Sequence, residues 1–288
     1  MTGFVETLFA TADGPRLEVR DYAPAGAVSG APVLCLHGLT RNVRDFDELA
    51  PRIAGLGRRV IVASQRGRGG SDRDPMPARY NPAIYAGDML ALLDQLSVER
   101  AVYVGTSMGG LMTMITAAIA PQRIAAAVLN DIGPEIDPAG LARIQSYVGK
   151  TKPVETWADA IASTRILQSV AFPKETSDAF WEAFARRAYR EEPDGRVVLD
   201  YDPAIAQAFQ PAPDAPAADL WPLFEALKPV PVLLVRGGIS DLLSAATVEE
   251  MRRRKPDLKA VSVPDVGHAP YMTEPAAWAA IEDFLRSL

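Results

Sequence analysis

The chain has 288 residues, of which 48% are hydrophobic and 23% charged, so it is too apolar for a disordered protein and is typical of a globular one. Its formal net charge of −6 carries no electrostatic footprint for nucleic acid or an anionic membrane, and a small-molecule partner is expected instead. No signal peptide or membrane-spanning stretch is recognisable, and the single cysteine, Cys35, excludes an internal disulfide, so a cytoplasmic location is expected.

The first half of the chain predicts strands that alternate with helices. Residues 4–22 read as two antiparallel strands joined by the Asp13-Gly14-Pro15 turn. Four apolar runs then follow, as expected for strands buried on both faces: PVLCLHG, RRVIVAS, RAVYVG and RIAAAVLND. Helical patterns occupy residues 43–55 and 82–96, and a further helix begins at Ser107. This alternation predicts βαβ units and a mostly parallel sheet.

The strand pattern is interrupted after GPEIDPAG at residues 133–140, and the next core strand is PVPVLLVRGG at 229–238. The intervening segment predicts helices near 138–149, 153–168, 175–190 and 202–209, and the proline-rich PAPDAPAADLWP predicts a hinge. A helix near 245–254, the strand LKAVSVP and a helix from about 275 complete the chain.

These elements predict an α/β fold with a mostly parallel, twisted, eight-stranded sheet flanked by helices and an inserted α-helical cap. The expected core comprises residues 1–133 and 223–288, and the expected cap comprises residues 134–222.

The segment Gly105-Thr106-Ser107-Met108-Gly109 lies between a predicted strand and a predicted helix. In that context G-x-S-x-G places a serine on a sharp turn, where small flanking residues give it room and its hydroxyl projects above the sheet. Ser107 is therefore the candidate nucleophile, and the alternative is a glycine-rich turn with Ser107 as a helix cap.

A serine hydroxyl needs an adjacent base, and the chain contains only two histidines. His268 follows the last strand in PDVGHAPYMTEP and is expected at the same sheet edge as Ser107, so it is the candidate base. His37 lies in LCLHGL, where a structural role in orienting the loop with Gly38 is expected. Two histidines without cysteine partners do not suggest a zinc site, so no metal is expected.

The histidine requires an acid, which holds its tautomer and stabilises the imidazolium. Asp241, in the loop RGGISDLLS after a core strand, is the preferred candidate on loop placement. Asp131, directly after RIAAAVLN, is the rival candidate, and Asp265 is expected to shape the turn before His268. Acyl transfer also needs donors for the developing oxyanion, and the amides of Leu39 and Met108 are the candidates.

The sequence resembles the α/β-hydrolase superfamily, with the HG turn, the RGRGGSD loop, the GTSMGG elbow, the SD loop and the GHAP loop in family order. The resemblance implies a helical cap, a triad of Ser107, Asp241 and His268, oxyanion donors at Leu39 and Met108, and no cofactor. One departure is Ser64, where relatives usually carry an aspartate, and it affects the expected hydrogen bonding of that loop. The run from Arg66 to Gly70 is expected to be a turn, because it lacks a P-loop lysine and opens no helix.

The expected activity is hydrolysis of a small or medium carboxylic ester through an acyl-enzyme, with no cofactor, no nucleic-acid partner and no membrane. One alternative is a lactonase or a C–C bond hydrolase of aromatic degradation, favoured if a cap arginine such as Arg143, Arg165 or Arg190 clamps a substrate carboxylate. A second alternative is a non-catalytic receptor for a small ligand. The sequence does not define the oligomeric state.

Overall fold

The main sheet has eight strands in the order β1-β2-β4-β3-β5-β6-β9-β10. The computed structural model describes residues 3–150, 154–208 and 219–288. Only the pairings of β2 with β1 and β4 are antiparallel, which confirms the predicted mostly parallel sheet. Its strands are β1 (Phe4–Ala10), β2 (Arg16–Tyr22), β3 (Val33–Leu36), β4 (Val60–Ala63), β5 (Ala101–Thr106), β6 (Ile124–Asn130), β9 (Val232–Gly237) and β10 (Lys259–Val263).

Helices cover both faces of this sheet, so its central strands are buried on both sides. Along β5, Val102 and Val104 belong to the apolar cluster on one face, whereas Ala101 and Tyr103 belong to the cluster on the other. The helices are α1 (Leu49–Ala54), α2 (Pro82–Gln95), α3 (Met108–Ile119), α4 (Pro138–Tyr147), α5 (Trp157–Gln168), α6 (Asp178–Ala188), α7 (Ile205–Ala208), α8 (Trp221–Glu225), α9 (Ala245–Arg254) and α10 (Pro275–Arg286).

Local signals explain several helix starts. Asn81 accepts a hydrogen bond from the Ala83 amide at the start of α2, and Thr156 and Asp159 form a capping box at α5. The helix expected over 43–55 is instead a short 3₁₀ turn, Val43–Phe46, followed by α1.

The segment between β6 and β9 holds α4 to α8 and also a hairpin that was not predicted. Strands β7 (Tyr189–Glu191) and β8 (Val197–Leu199) pair there, and Gly195 adopts a left-handed φ of 83° in their turn. The Asp194-Gly195 dipeptide is a hairpin signal that sequence reasoning overlooked. The end of the helix expected near 202–209 and most of the expected hinge lie outside the described residues.

The insertion is joined to the rest of the fold by polar contacts. The Asn42 side chain donates to Asp200 over 3.0 Å, and Arg187 pairs with Glu48 over 3.2 Å. The division into core and cap remains a prediction. None of the helices within the described ranges is long and apolar enough to cross a membrane.

Candidate active site

Ser107 occupies a strained turn between β5 and α3. Its φ of 51° and ψ of −112° lie outside the regions that L-residues favour. The flanking glycines permit this close packing, since a Cβ on Gly109 would lie 2.1 Å from the Leu36 carbonyl oxygen. A Cβ on Gly105 would lie 2.4 Å from the Gly109 backbone. The geometry is that of a nucleophile elbow.

His268 lies within hydrogen-bond distance of this serine. The distance from Ser107 Oγ to His268 Nε2 is 2.9 Å, so Nε2 can accept the hydroxyl proton. The loop that carries His268 follows β10. The side-chain amide of Asn130 helps to hold it by donating to the Pro270 carbonyl over 2.7 Å.

Asp131, the rival candidate, is the acid that contacts the histidine. Its Oδ2 lies 2.9 Å from His268 Nδ1, and its side chain is fully buried. The Gly237 amide donates to Oδ1 over 2.8 Å, and the Ser240 hydroxyl donates to Oδ2 over 2.6 Å. With three partners, the carboxylate is oriented to hold Nδ1 of the imidazole as a donor.

The predicted contact between Asp241 and His268 is therefore wrong. Asp241 is bound instead by Arg143 of α4, with Nη2 to Oδ1 at 2.8 Å and Nε to Oδ2 at 2.5 Å. This hydrogen bonding lowers the pKa of Asp241. Asp265 pairs with Lys174 over 2.9 Å and has a φ of 59°, as expected for a residue that shapes a turn.

Strand order explains why Asp131 and not Asp241 meets the histidine. Thr106 and Asn130 are partners across β5 and β6, so Ser107 and Asp131 leave adjacent strands at the same level. Asp131 also has a left-handed φ, 53°. Asp241 comes four residues after the end of β9, which is one strand farther from β5. The immediate succession of strand and aspartate at 130–131 is the local sequence signal for this acid.

The two candidate oxyanion donors, Leu39 and Met108, are held by one buried arginine. Arg68 Nε donates to the Leu39 carbonyl over 2.9 Å, and its Nη2 lies 3.7 Å from Met108 Sδ. In the described part of the chain, neither the Leu39 nor the Met108 amide has an acceptor. Their N–H groups are therefore available to a ligand oxygen.

His37 is fully buried and joins two loops behind the site. Its Nδ1 lies 2.7 Å from the Gly38 carbonyl, to which it donates, and its Nε2 accepts from the Gln65 amide over 2.9 Å. Desolvation, reinforced by the charge of Arg68, lowers the pKa of His37 to about 3, so the ring is neutral.

Ser64, the departure from the family pattern, has a substitute for the missing carboxylate. Its hydroxyl donates to Glu18 Oε2 over 2.7 Å and accepts from the Val43 amide over 3.1 Å. The same Glu18 oxygen accepts from the Gly70 amide over 2.9 Å. Glu18, on β2, thus supplies the carboxylate that accepts the hydrogen bonds of this loop.

Two cavities meet at Ser107. The first, about 140 Å³, is called the polar cavity because Arg41, Asp45 and His268 line it, although most of its lining residues are apolar or aromatic, Phe172 and Phe184 among them. The apolar cavity, about 120 Å³, is lined almost entirely by apolar and aromatic side chains, among them Met108, Leu111, Ile136, Leu141 and Leu242. A substrate could extend from Ser107 into both cavities, and it would meet charged side chains only in the first.

Comparisons with known proteins match the chain to one fold family. A family model for the alpha/beta hydrolase fold matches residues 31–275. The chain is 37% identical over 260 residues to the 3-hydroxybutyrate-oligomer hydrolase of Cupriavidus necator, which covers 88% of this chain and 87% of that protein. It is also 29% identical over 240 residues to the 2-(acetamidomethylene)succinate hydrolase of Mesorhizobium japonicum, covering 83% and 82% respectively. A crystal structure of an alpha/beta hydrolase from Novosphingobium aromaticivorans superposes with a TM-score of 0.92 at 43% identity, over the whole of both chains.

Proposed function

Because this chain belongs to the α/β-hydrolase family and is a hydrolase, we propose that it cleaves carboxylic esters with a triad of Ser107, His268 and Asp131. The observation that supports this most is the continuous hydrogen-bonded chain from Ser107 Oγ through the imidazole to the buried carboxylate. Such a relay activates a serine for acyl transfer.

The proposed reaction has two steps. Ser107 Oγ attacks the ester carbonyl while His268 Nε2 takes the hydroxyl proton, and the amides of Leu39 and Met108 stabilise the oxyanion. His268 then gives the proton to the leaving alcohol oxygen as the C–O bond breaks. Water, activated by the same imidazole, hydrolyses the acyl-enzyme to the acid and restores Ser107.

A short ester is the substrate class that fits the two cavities, of about 140 and 120 Å³. The similarity to a 3-hydroxybutyrate-oligomer hydrolase supports esters of short hydroxy acids as the first compounds to assay. The three arginines considered for a lactonase or C–C hydrolase clamp are each paired with carboxylates: Arg143 with Asp241, Arg165 with Asp178, and Arg190 with Glu192 and Asp200. None of the three is among the residues that line the two cavities at Ser107, which disfavours that alternative. A non-catalytic receptor would have no need of the proton relay.

Ser107→Ala is expected to lower kcat on p-nitrophenyl acetate, butyrate and octanoate by about 10⁴-fold or more, because the nucleophile is removed. Labelling by a fluorophosphonate, read by intact mass, should disappear in the same variant. Wild-type protein that takes the label at Ser107 but turns over no ester would transfer the proposal to lactone or C–C substrates. Ester turnover that persists undiminished in Ser107→Ala would overturn the proposed nucleophile.

A further inference from the structure

The polar cavity and the apolar cavity play different roles if Ser107 is the nucleophile, as proposed above. The imidazole must give its proton to the leaving oxygen, so the alcohol half of an ester has to lie beside His268. His268 lines only the polar cavity and Met108 only the apolar one, while Ser107 and Leu39 line both. The alcohol half therefore belongs in the polar cavity and the acyl half in the apolar cavity.

The polar cavity presents a hydrogen-bond donor, on Arg41, that no described residue uses. Arg41 binds Asp45 through Nε, at 2.9 and 3.1 Å, and through Nη2, at 2.5 Å. Its guanidinium also lies 4.6 Å from the ring centre of Phe184, on α6. Within the described residues, no acceptor is bound to Nη1.

A second polar residue that lines this cavity, Thr164, has a hydroxyl without a partner in the described part of the chain. Thr164 on α5 is 3% exposed, and its hydroxyl oxygen has no hydrogen bond to any described residue. The oxygen is inaccessible from the cavity, so Thr164 can contribute to binding only after its side chain rotates, and Arg41 is the donor that a ligand reaches directly.

We propose that the enzyme selects esters whose leaving alcohol carries a second oxygen group, a carboxylate or a carbonyl, which binds Nη1 of Arg41 in the polar cavity. Hydroxy acids and their esters are alcohols of this kind. Arg41 is then a specificity residue for the leaving group, while the acyl half is recognised by apolar contact alone.

Three butyrate esters test this proposal with the acyl half held constant. Their alcohols are 3-hydroxybutyrate, methyl 3-hydroxybutyrate and 2-butanol, which present a carboxylate, an ester carbonyl and no second oxygen. Wild type is expected to prefer at least one of the first two over the 2-butyl ester by tenfold or more in kcat/KM. The comparison of the first two identifies whether charge or a neutral acceptor is recognised.

The double variant Arg41→Gln, Asp45→Asn removes both charges of the pair without leaving one buried alone. We expect it to reduce the preference for the oxygen-bearing alcohol about 10- to 100-fold, mainly through KM, because a hydrogen bond to a charged group is lost. Arg41→Lys keeps the charge and should give a smaller reduction. Arg165→Gln, on the exposed side of α5, is the matched control and should leave the preference unchanged.

No preference in wild type, or a preference that the Arg41 variants retain while their thermal unfolding remains normal, would refute the assignment. Both results are distinct from failure of the proposed function, which would show as ester turnover in Ser107→Ala.

A second inference comes independently from Arg68. Its side chain is 1% exposed, yet it forms no ion pair with any described carboxylate. Its neutral partners are the Leu39 and Arg66 carbonyls and the Tyr85 hydroxyl, the last two at 2.7 and 2.8 Å from Nη1. The ring centres of Tyr85 and Tyr80 lie 4.9 and 5.6 Å from its guanidinium carbon. Burial of a cation without a carboxylate is still costly, so its position between Leu39 and Met108 indicates a further role.

We infer that Arg68 is a positioning residue that aligns the Leu39 and Met108 segments and adds positive charge beside the developing oxyanion. Arg68→Met should lower kcat about 10- to 100-fold with little change in KM, and slow fluorophosphonate labelling in parallel. Arg68→Lys should restore part of kcat. Tyr85→Phe, which removes one hydrogen bond but no charge, should cost less. A merely structural arginine would instead lower the unfolding temperature and leave kcat of the folded fraction unchanged.

Discussion

Asp131→Asn is expected to lower kcat for ester hydrolysis by about 10⁴-fold. An asparagine amide cannot hold the imidazole with Nδ1 as donor and does not stabilise an imidazolium, so His268 would become a poor base. The Gly237 and Ser240 partners of the side chain can adapt to an amide, so the fold should persist. Steady-state kinetics together with circular dichroism would separate the two effects.

Asp241→Asn is the matched control for this substitution. It removes a carboxylate from the same end of the sheet but disrupts only the pairing with Arg143, so most of the turnover should remain. The opposite outcome, with Asp241→Asn inactive and Asp131→Asn active, would assign the acid to the loop after β9.

Arg66→Met is expected to reduce the free energy of unfolding by about 3 to 5 kcal/mol. Arg66 is 2% exposed, and its five N–H donors bind three carboxylates: Asp13, Asp74 and Asp88. Without the guanidinium, Asp74 and Asp88 would be buried charges with their principal partner missing. Burial already raises the pKa of Asp88. In the variant this carboxylate would either take up a proton or destabilise the native state as an unpaired buried charge.

Urea unfolding at pH 7 measures this loss, and Arg16→Met is the control. Arg16 also pairs with an aspartate, Asp72, but both side chains are largely exposed, so its removal should reduce the free energy of unfolding much less. Equal losses in Arg66→Met and Arg16→Met would show that the buried network adds no more stability than an exposed ion pair.

The Arg66 network also predicts a pH dependence of stability. The hydrogen bond from Arg66 lowers the pKa of Asp13 to about 2, so this stabilisation is present above the ordinary carboxyl pKa of 3.8 and is lost as pH falls towards 2.

Sequence reasoning predicted the sheet because its signals are local. Strands buried on both faces are apolar throughout, and the elbow glycines are required by contacts within one turn. The pairing of Ser107 with His268 could be predicted because few candidates exist. The acid could not be settled in this way, since two aspartates follow core strands and the choice depends on which strand lies beside β5. Strand order is a long-range property, and Arg143, which binds Asp241, lies almost a hundred residues away in the chain.

The roles of Arg41 and Arg68 were hidden for a related reason. Both occur in loops that read as ordinary turns, and only the folded chain shows that one lines a cavity at Ser107 and the other contacts both candidate oxyanion segments. The loop RGRGG is a turn, as predicted, but it also carries two buried arginines, Arg66 and Arg68.

The shared level of Ser107 and Asp131 at the ends of two paired strands has an energetic consequence. Thr106 and Asn130 are neighbours in the ladder, so main-chain pairing sets the spacing of Ser107 and Asp131. The Asn130 side chain ties the His268 loop to the same strand end. The Asp131 carboxylate, and the Gly237 amide and Ser240 hydroxyl that hold it, are therefore oriented once, when the chain folds, and not again in every turnover. Such preorganisation keeps the reorganisation energy of the reaction low.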